Sequence, residues 1–368
     1  MIKAHCFEKP WIDAFKAQEK YRRLNPPVLE KMINALYLLQ LLRKNNFQFV
    51  FKGGTSLVLI LETARRFSVD IDIITRHSKE EIEACLQKII DTSNFTSWHL
   101  DEHRSYKEGV PKAHYELEYP SNINKDASYI QLDILFEDPH YPKIQERQII
   151  SPWIETEEII MVTVPTVESI VGDKLTAFAP NTTGIPFGKD KEAEIIKQLF
   201  DIGHLFDEAK DMEEIYLSFH AFVAQEISYR GLDIGAEKVL LDIIETSKLI
   251  AVGARLKASD QPARNNYDLL IKGIRAFDGF LIEGHFHLDD AILAGAKACY
   301  LAASILSGNK NGLDKYAGQS VADLGITNIH WNALNRLKRM PEAYYYWHRA
   351  LALLNLINQA PAPAETYE

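Results

Sequence analysis

Phe51-Lys52-Gly53-Gly54-Thr55-Ser56-Leu57 and, one short helical stretch later, Arg66-Phe67-Ser68-Val69-Asp70-Ile71-Asp72 are the segments that decide the fold. The aromatic run Phe47–Phe51 predicts a strand ending at the two glycines, and the apolar stretch from Leu57 to about Ala64 predicts a helix behind them. Ser68–Ile74 then predicts a second strand. Side chains two apart on a strand point the same way, with Cα atoms roughly 6.5–7 Å apart. Asp70 and Asp72 therefore share a face, while Val69, Ile71 and Ile73 turn to the core. Two such carboxylates repel unless a cation lies between them, and hard divalent ions take oxygen ligands. Gly53 and Gly54 let a phosphate approach the backbone at a helix N-terminus, where Thr55 or Ser56 can cap the helix and reach a phosphate oxygen. A glycine pair alone is an ordinary turn, and Asp-x-Asp alone is an ordinary solvated strand face. The ordered combination of strand, glycine turn, helix and acidic strand reads as a nucleotide-handling site.

Outward from this core, the sequence is that of a globular chain of 368 residues, with 46% apolar and 25% charged residues. That length suggests about two domains. No run approaches the ~18–20 apolar residues of a membrane span, and the N-terminus lacks a signal-peptide core, so a cytoplasmic location is expected. Cys6, Cys85 and Cys299 are too few and too scattered for a disulfide framework. A net charge of −10 argues against coating nucleic acid by bulk charge, while leaving a local basic cleft open.

Helices are expected over the first ~45 residues, with Asn25-Pro26-Pro27 opening one, and from Ser78 to Ile90. His114–Tyr119 and Ser128–Phe136 alternate as strands around a turn-like Asn122–Asp126. In the second of these, Asp133 sits opposite the apolar face of Ile130, Leu132, Ile134 and Phe136. It is either a third carboxylate beside Asp70 and Asp72 or an edge acid facing water. After Pro165 the pattern is helical to the end, with helices beginning near Thr166, Lys191, Met212, Ala236, Asn265, Asp289 and His330. Lys174 falls inside the apolar stripe Val167, Ile170, Val171 and Phe178, where it must snorkel out or meet a negative charge. A methionine there is expected to fit the stripe and leave stability unchanged or higher. Periodicity places Asp201 on the flank of its helix, as a solvated carboxylate. The fold class is α+β: a mixed sheet with helices over residues 1–207, then a helical domain over 208–368.

The glycine and Asp-x-Asp segments resemble the signature of the AbiEii/AbiGii toxin family, nucleotidyltransferase-fold proteins related in motif to DNA polymerase β. Val164-Pro165-Thr166, Lys174-Leu175-Thr176-Ala177-Phe178 and Phe200-Asp201-Ile202 resemble its later motifs, so the likeness spans roughly residues 28–207. It implies a nucleotidyltransferase domain in which Asp70 and Asp72 bind Mg²⁺, Gly53, Gly54, Thr55 and Ser56 hold the NTP, and Lys174 and Asp201 form a later functional pair. Lys174 would also serve nucleotide binding. Asp133 occupies the place of the third carboxylate of broader nucleotidyltransferases and would complete the metal set; either Asp133 or Asp201 could act on the acceptor. Many relatives carry an arginine soon after the lysine. Here Lys189 or Lys191 would take that basic role.

The resemblance further implies the toxin of a toxin–antitoxin or phage-defence pair, with tRNA as acceptor and an antitoxin as partner. Two other readings stay open: a small-molecule transferase of the aminoglycoside-modifying kind, which the acidic charge favours, and a non-catalytic nucleotide-binding module. Two further segments carry alternatives. His285-Phe286-His287 is a surface turn or half a zinc site. Arg336, Lys338, Arg339 and Arg349 around Tyr344-Tyr345-Tyr346-Trp347 are either a helical core face with basic edges or an RNA-stacking surface.

Overall fold

The computed structural model describes residues 1–61, 65–106, 109–257 and 259–358. The end of the expected helix at Glu62–Ala64 and the Ala/Pro-rich tail lie outside the described residues. Seven strands form one mixed sheet: β1 (Val50–Lys52), β2 (Ile71–Thr75), β3 (Ser97–Leu100), β4 (Lys112–Tyr119), β5 (Ser128–Phe136), β6 (Ile144–Gln148) and β7 (Met161–Pro165). Their spatial order is β3-β4-β5-β2-β1-β7-β6. The strands β2 and β5 run parallel, as do β1 and β7, and the other neighbours are antiparallel. One face buries Ile71, Ile73, Leu132, Ile134, Tyr115 and Leu117. In the same part of the chain lie α1 (Lys9–Lys16), α2 (Pro26–Lys44), α3 (Gly53–Ile60), α4 (Lys79–Thr92) and the one-turn α5 (Glu102–Ser105). Pro26 and Pro27 open α2, and a capping box of Ser78 and Glu81 opens α4.

Two strands are shorter than expected, each because a side chain has taken a ladder group. Phe47–Phe49 stay outside β1: the Thr75 hydroxyl donates to the Gln48 carbonyl (2.7 Å), and the Gln48 N–H donates to His77 Nε2 (3.3 Å). Ser68–Asp70 stay outside β2, and there Thr55 Oγ1 donates to the Asp70 carbonyl at 2.6 Å. Strands β3 and β7 alternate over only four or five residues, too short a run to stand out, and β6 carries no apolar alternation at all.

From Val167 on, the described elements are helical: α6 (Val167–Ala177), α7 (Glu192–Glu208), α8 (Met212–Arg230), α9 (Ala236–Val252), α10 (Gln261–Phe277), α11 (Leu288–Leu306) and α12 (Pro341–Leu353). The pairs α6–α8, α9–α11, α11–α12 and α7–α10 pack most closely. Gln261 and Pro262 open α10 ahead of the expected Asn265. A 3₁₀ segment, Asn332–Arg339, stands where a helix from His330 is expected, and Pro341 begins the true helix. Tyr344, Tyr345, Tyr346 and Trp347 are all buried, so this segment is a core face and not a stacking surface. No helix among the described residues is long and apolar enough to cross a membrane. All three cysteines are buried, and burial pushes the Cys85 thiol up to about 11.

The chain packs as two compact units. One comprises residues 1–166 together with Gly279–His285, and the other comprises Val167–Asp278 and the chain from Phe286 onward. The packing boundary therefore falls ahead of the motif-based boundary at 207/208. The return segment is tied into the first unit by Phe67 N–H to Phe280 O (2.9 Å) and Ile282 N–H to Arg65 O (3.1 Å).

Candidate active site

The register of the sheet assembles the acidic residues. Lys52 pairs with Asp72, Asp72 with Asp133, and Asp133 with His114, which makes one lateral row across β1, β2, β5 and β4. Partners in register project to the same side of a sheet, so the four polar side chains share the face opposite the apolar core. The two acidic strands are thus neighbours, and Asp133 is not an edge acid facing water.

Gly53 makes the turn between β1 and α3 with φ +73°, a conformation that costs a side-chain-bearing residue strain. Space forbids a side chain as well: a Cβ at position 53 would lie 2.1 Å from Asp72 Oδ2. The carboxylate therefore stands directly against the backbone that begins α3. Gly53→Ala is expected to displace Asp72 and cost about 1–3 kcal/mol in strain alone, with any nucleotide binding lost. A thermal melt and a nucleotide titration check both parts; an alanine variant with unchanged melting and binding would show the turn to be tolerant.

Thr55 and Ser56 do not cap α3 as expected. Lys52 is the N-cap residue and gives no side-chain cap. Both hydroxyls are buried and donate to main-chain carbonyls, Thr55 to Asp70 and Ser56 to Gly53 (2.8 Å). They brace the glycine turn against the acidic segment. The free N–H groups at the start of α3 are what the turn offers to an anion.

Residues that the sequence reading gave no role surround the acids. His114 Nδ1–H donates to Asp133 Oδ1 at 2.6 Å, and Lys112 Nζ donates to His114 Nε2 at 3.2 Å, which fixes the tautomer. Arg104 of α5 lies 3.5 Å from Asp133 Oδ2. The Gln131 amide lies between Asp70 and Arg104, and the orientation that satisfies both neighbours puts its nitrogen 3.3 Å from Asp70 Oδ1 and its oxygen 2.6 Å from Arg104 Nη1. Arg66 is buried against Gly54, where a Cβ would lie 2.5 Å from its Nη2. Strand alternation puts His114 on the polar face of β4, but only the register shows that it meets Asp133.

Asp70 and Asp72 offer the hard oxygen donors that suit Mg²⁺, and Asp72 is held by the Gly53 cradle, so these residues fit such an ion. Among the described residues no three His, Cys, Asp or Glu side chains converge to hold a metal by themselves.

In the helical unit, Lys174 of α6 meets Asp201 of α7 at 2.7 Å, with side-chain exposures of 6% and 2%. Gln198 Oε1 accepts a second bond from Lys174 Nζ at 3.2 Å. Asp201 is therefore not the solvated carboxylate that its periodicity suggested: it is the negative charge that the lysine in the stripe required. His287 is the N-cap residue of α11, its N–H donating to Asp290 Oδ2 (2.8 Å), and His285 faces Arg23. Each histidine thus has a local structural role.

No curated protein matches the chain. Among solved structures it is similar to JHP933 from Helicobacter pylori, at 16% identity and a TM-score of 0.40 over 76% of this chain and 90% of that one. A nucleotidyltransferase candidate from H. pylori matches at 16% identity and a TM-score of 0.34, over 73% of this chain and all of that one. Likenesses of this depth carry no argument. The sequence profile described as "Nucleotidyl transferase AbiEii toxin, Type IV TA system" matches residues 40–278, a span that holds the glycine turn, the three acids, Lys174 and Asp201. With well over half of its length matched, this chain belongs to the AbiEii nucleotidyl transferase toxin family and is a nucleotidyltransferase.

Proposed function

We propose that the chain transfers a nucleoside monophosphate from an NTP to an RNA acceptor, with tRNA the favoured one, as the toxin of a toxin–antitoxin pair acting in the cytoplasm, where it would serve phage defence. The observation that carries this reading is the abutment of Asp72 on Gly53, which puts the metal-type carboxylate beside the N–H groups of α3. The NTP phosphates would lie on those N–H groups, and Asp70 and Asp72 would hold Mg²⁺. That ion supplies charge neutralisation on the phosphates when bound. Asp133, which contacts His114 and Arg104, would orient the attacking hydroxyl and take its proton. Asp201 is the poorer choice for that task, because it is buried against Lys174. Lys174 and Asp201 act in this reading as one unit that pins α6 to α7, and a phosphate role for Lys174 requires Asp201 to release it. The helical region selects the acceptor, and an antitoxin binds the toxin.

Incubation with each labelled NTP, Mg²⁺ and total RNA should label an RNA band for at least one base. No transfer to any RNA, with labelling of a small cationic acceptor instead, would establish the small-molecule transferase.

A further inference from the structure

Against the chain's net charge of −10, one part of the helical unit gathers arginines locally. Arg336 donates from Nη2 to the carbonyl of Ala251 in the last turn of α9. Arg264, in the first turn of α10, donates from Nη1 to Leu256 O at 3.2 Å. Arg255 ends the 3₁₀ turn Gly253–Arg255 between those two carbonyls. Guanidinium groups from three elements thus converge on residues 251–256, and Arg339 follows Arg336 in the same 3₁₀ segment. Burial first, then Arg255 and Arg339, lower the pKa of Arg336, as crowded like charges must. Among the described residues none of these four arginines has a carboxylate ion-pair partner. Asp260 is the acid in this loop, and it accepts the Lys257 N–H.

The turn they surround packs on Tyr267: a Cβ at Gly253 would lie 2.2 Å from its ring. Tyr267 in turn lines a cleft of about 620 Å³, together with Ile271 and Phe286 and the polar groups Asp268, Arg275 and Asp278. This volume is within the ~300–1,000 Å³ of ordinary ligand clefts. Arg264, Asp268, Ile271 and Arg275 recur at helical spacing, so α10 presents them along one face. Arg275 thus stands in the wall of the cleft, and Arg264 precedes Tyr267 on the same helix.

We propose that this cleft and its arginine rim bind a nucleoside phosphate, the base entering between Tyr267 and Phe286 and the phosphates lying on Arg255, Arg264 and Arg339. The proposal rests on the transferase reading above and says where that reaction's RNA acceptor is held. An aromatic-walled cleft with carboxylates at Asp268 and Asp278 suits a planar base bearing amino donors. An acidic protein partner would use the arginines but not the cleft.

The test uses the full chain, an eight-nucleotide labelled RNA of mixed sequence, and AMP and CMP as competitors, read by fluorescence anisotropy. Arg255 and Arg339 are exposed, so Arg255→Gln/Arg339→Gln should fold normally. This variant is expected to weaken RNA binding about tenfold and to lower the salt slope by roughly 0.7 per removed charge. Ile271→Trp, which fills the cleft, should weaken RNA binding by a similar factor without changing the salt slope. Competition by mononucleotides would identify free nucleotide as a second source of the same chemistry; its absence would identify the strand.

Both variants binding RNA within twofold of wild type, with unchanged melting, would overturn the site. So would loss of polyglutamate binding with RNA binding intact, which would mark an acidic protein as the occupant. If wild type transfers nucleotide to RNA while both variants bind normally, the site falls and the transferase reading stands. Arginine-dependent RNA binding without any transfer would leave the site and remove the reaction.

Discussion

Lys174→Met is expected to destabilise the chain by about 3–5 kcal/mol, the scale set by breaking a buried ion pair from one side. The sequence suggested the opposite, because methionine fits the apolar stripe of α6. The structure reverses the sign. Asp201 is 2% exposed and lies 2.7 Å from the lysine nitrogen, so the substitution removes a counter-charge from a carboxylate that water does not reach. Both groups lose hydration on folding, and their mutual attraction, with the hydrogen bond from Lys174 to Gln198, offsets that loss in part. Replacing both partners, as Lys174→Met/Asp201→Leu, should recover most of the stability, since a packed apolar pair of similar volume is often neutral or better. Urea unfolding of wild type, single and double variants decides it. A single variant as stable as wild type, or a double variant no better than the single, would show that the pair is not a structural unit.

Asp72→Asn should leave the fold intact and lower nucleotide transfer by at least about 10³-fold, the upper range for removing one preorganised charge-stabilising group. Asparagine keeps the shape that rests against Gly53, and the strand's core contacts come from Ile71 and Ile73. What is lost is one negative charge where the phosphates would be neutralised. Transfer within tenfold of wild type, in a variant whose melting is unchanged, would take Asp72 out of the reaction. Asp133→Asn is the informative companion. The amide can still meet His114 but takes a proton poorly, so a fall in turnover with unchanged NTP affinity would fit a proton-handling role.

The parts of the molecule legible in sequence are those with local periodicity or local chemistry. Ile71, Ile73, Ile130, Leu132 and Ile134 alternate strictly and lie on the buried face. The glycine turn at Gly53 was legible because a glycine pair between an apolar strand and a helix marks a backbone that other residues adopt at a cost. Strand β6, Ile144-Gln145-Glu146-Arg147-Gln148, was invisible because an edge strand with two wet faces has no apolar alternation to display. The contact of His114 with Asp133 was invisible for a different reason: it depends on register, which the chain sets through turns and core packing that no single segment records. Asp201 was misjudged because a helix buried on more than one side hides the distinction between flank and face.

The return of Gly279–His285 to the first unit has a consequence for synthesis. The Arg65–Phe67 backbone, which precedes the acidic strand, completes two of its hydrogen bonds with residues from that distant segment. A ribosome releases those residues only after α6 to α10 have been made, so the nascent first unit waits with the segment before its acidic strand unclamped. For the same reason a fragment ending at residue 207 would lack a piece of its own first unit.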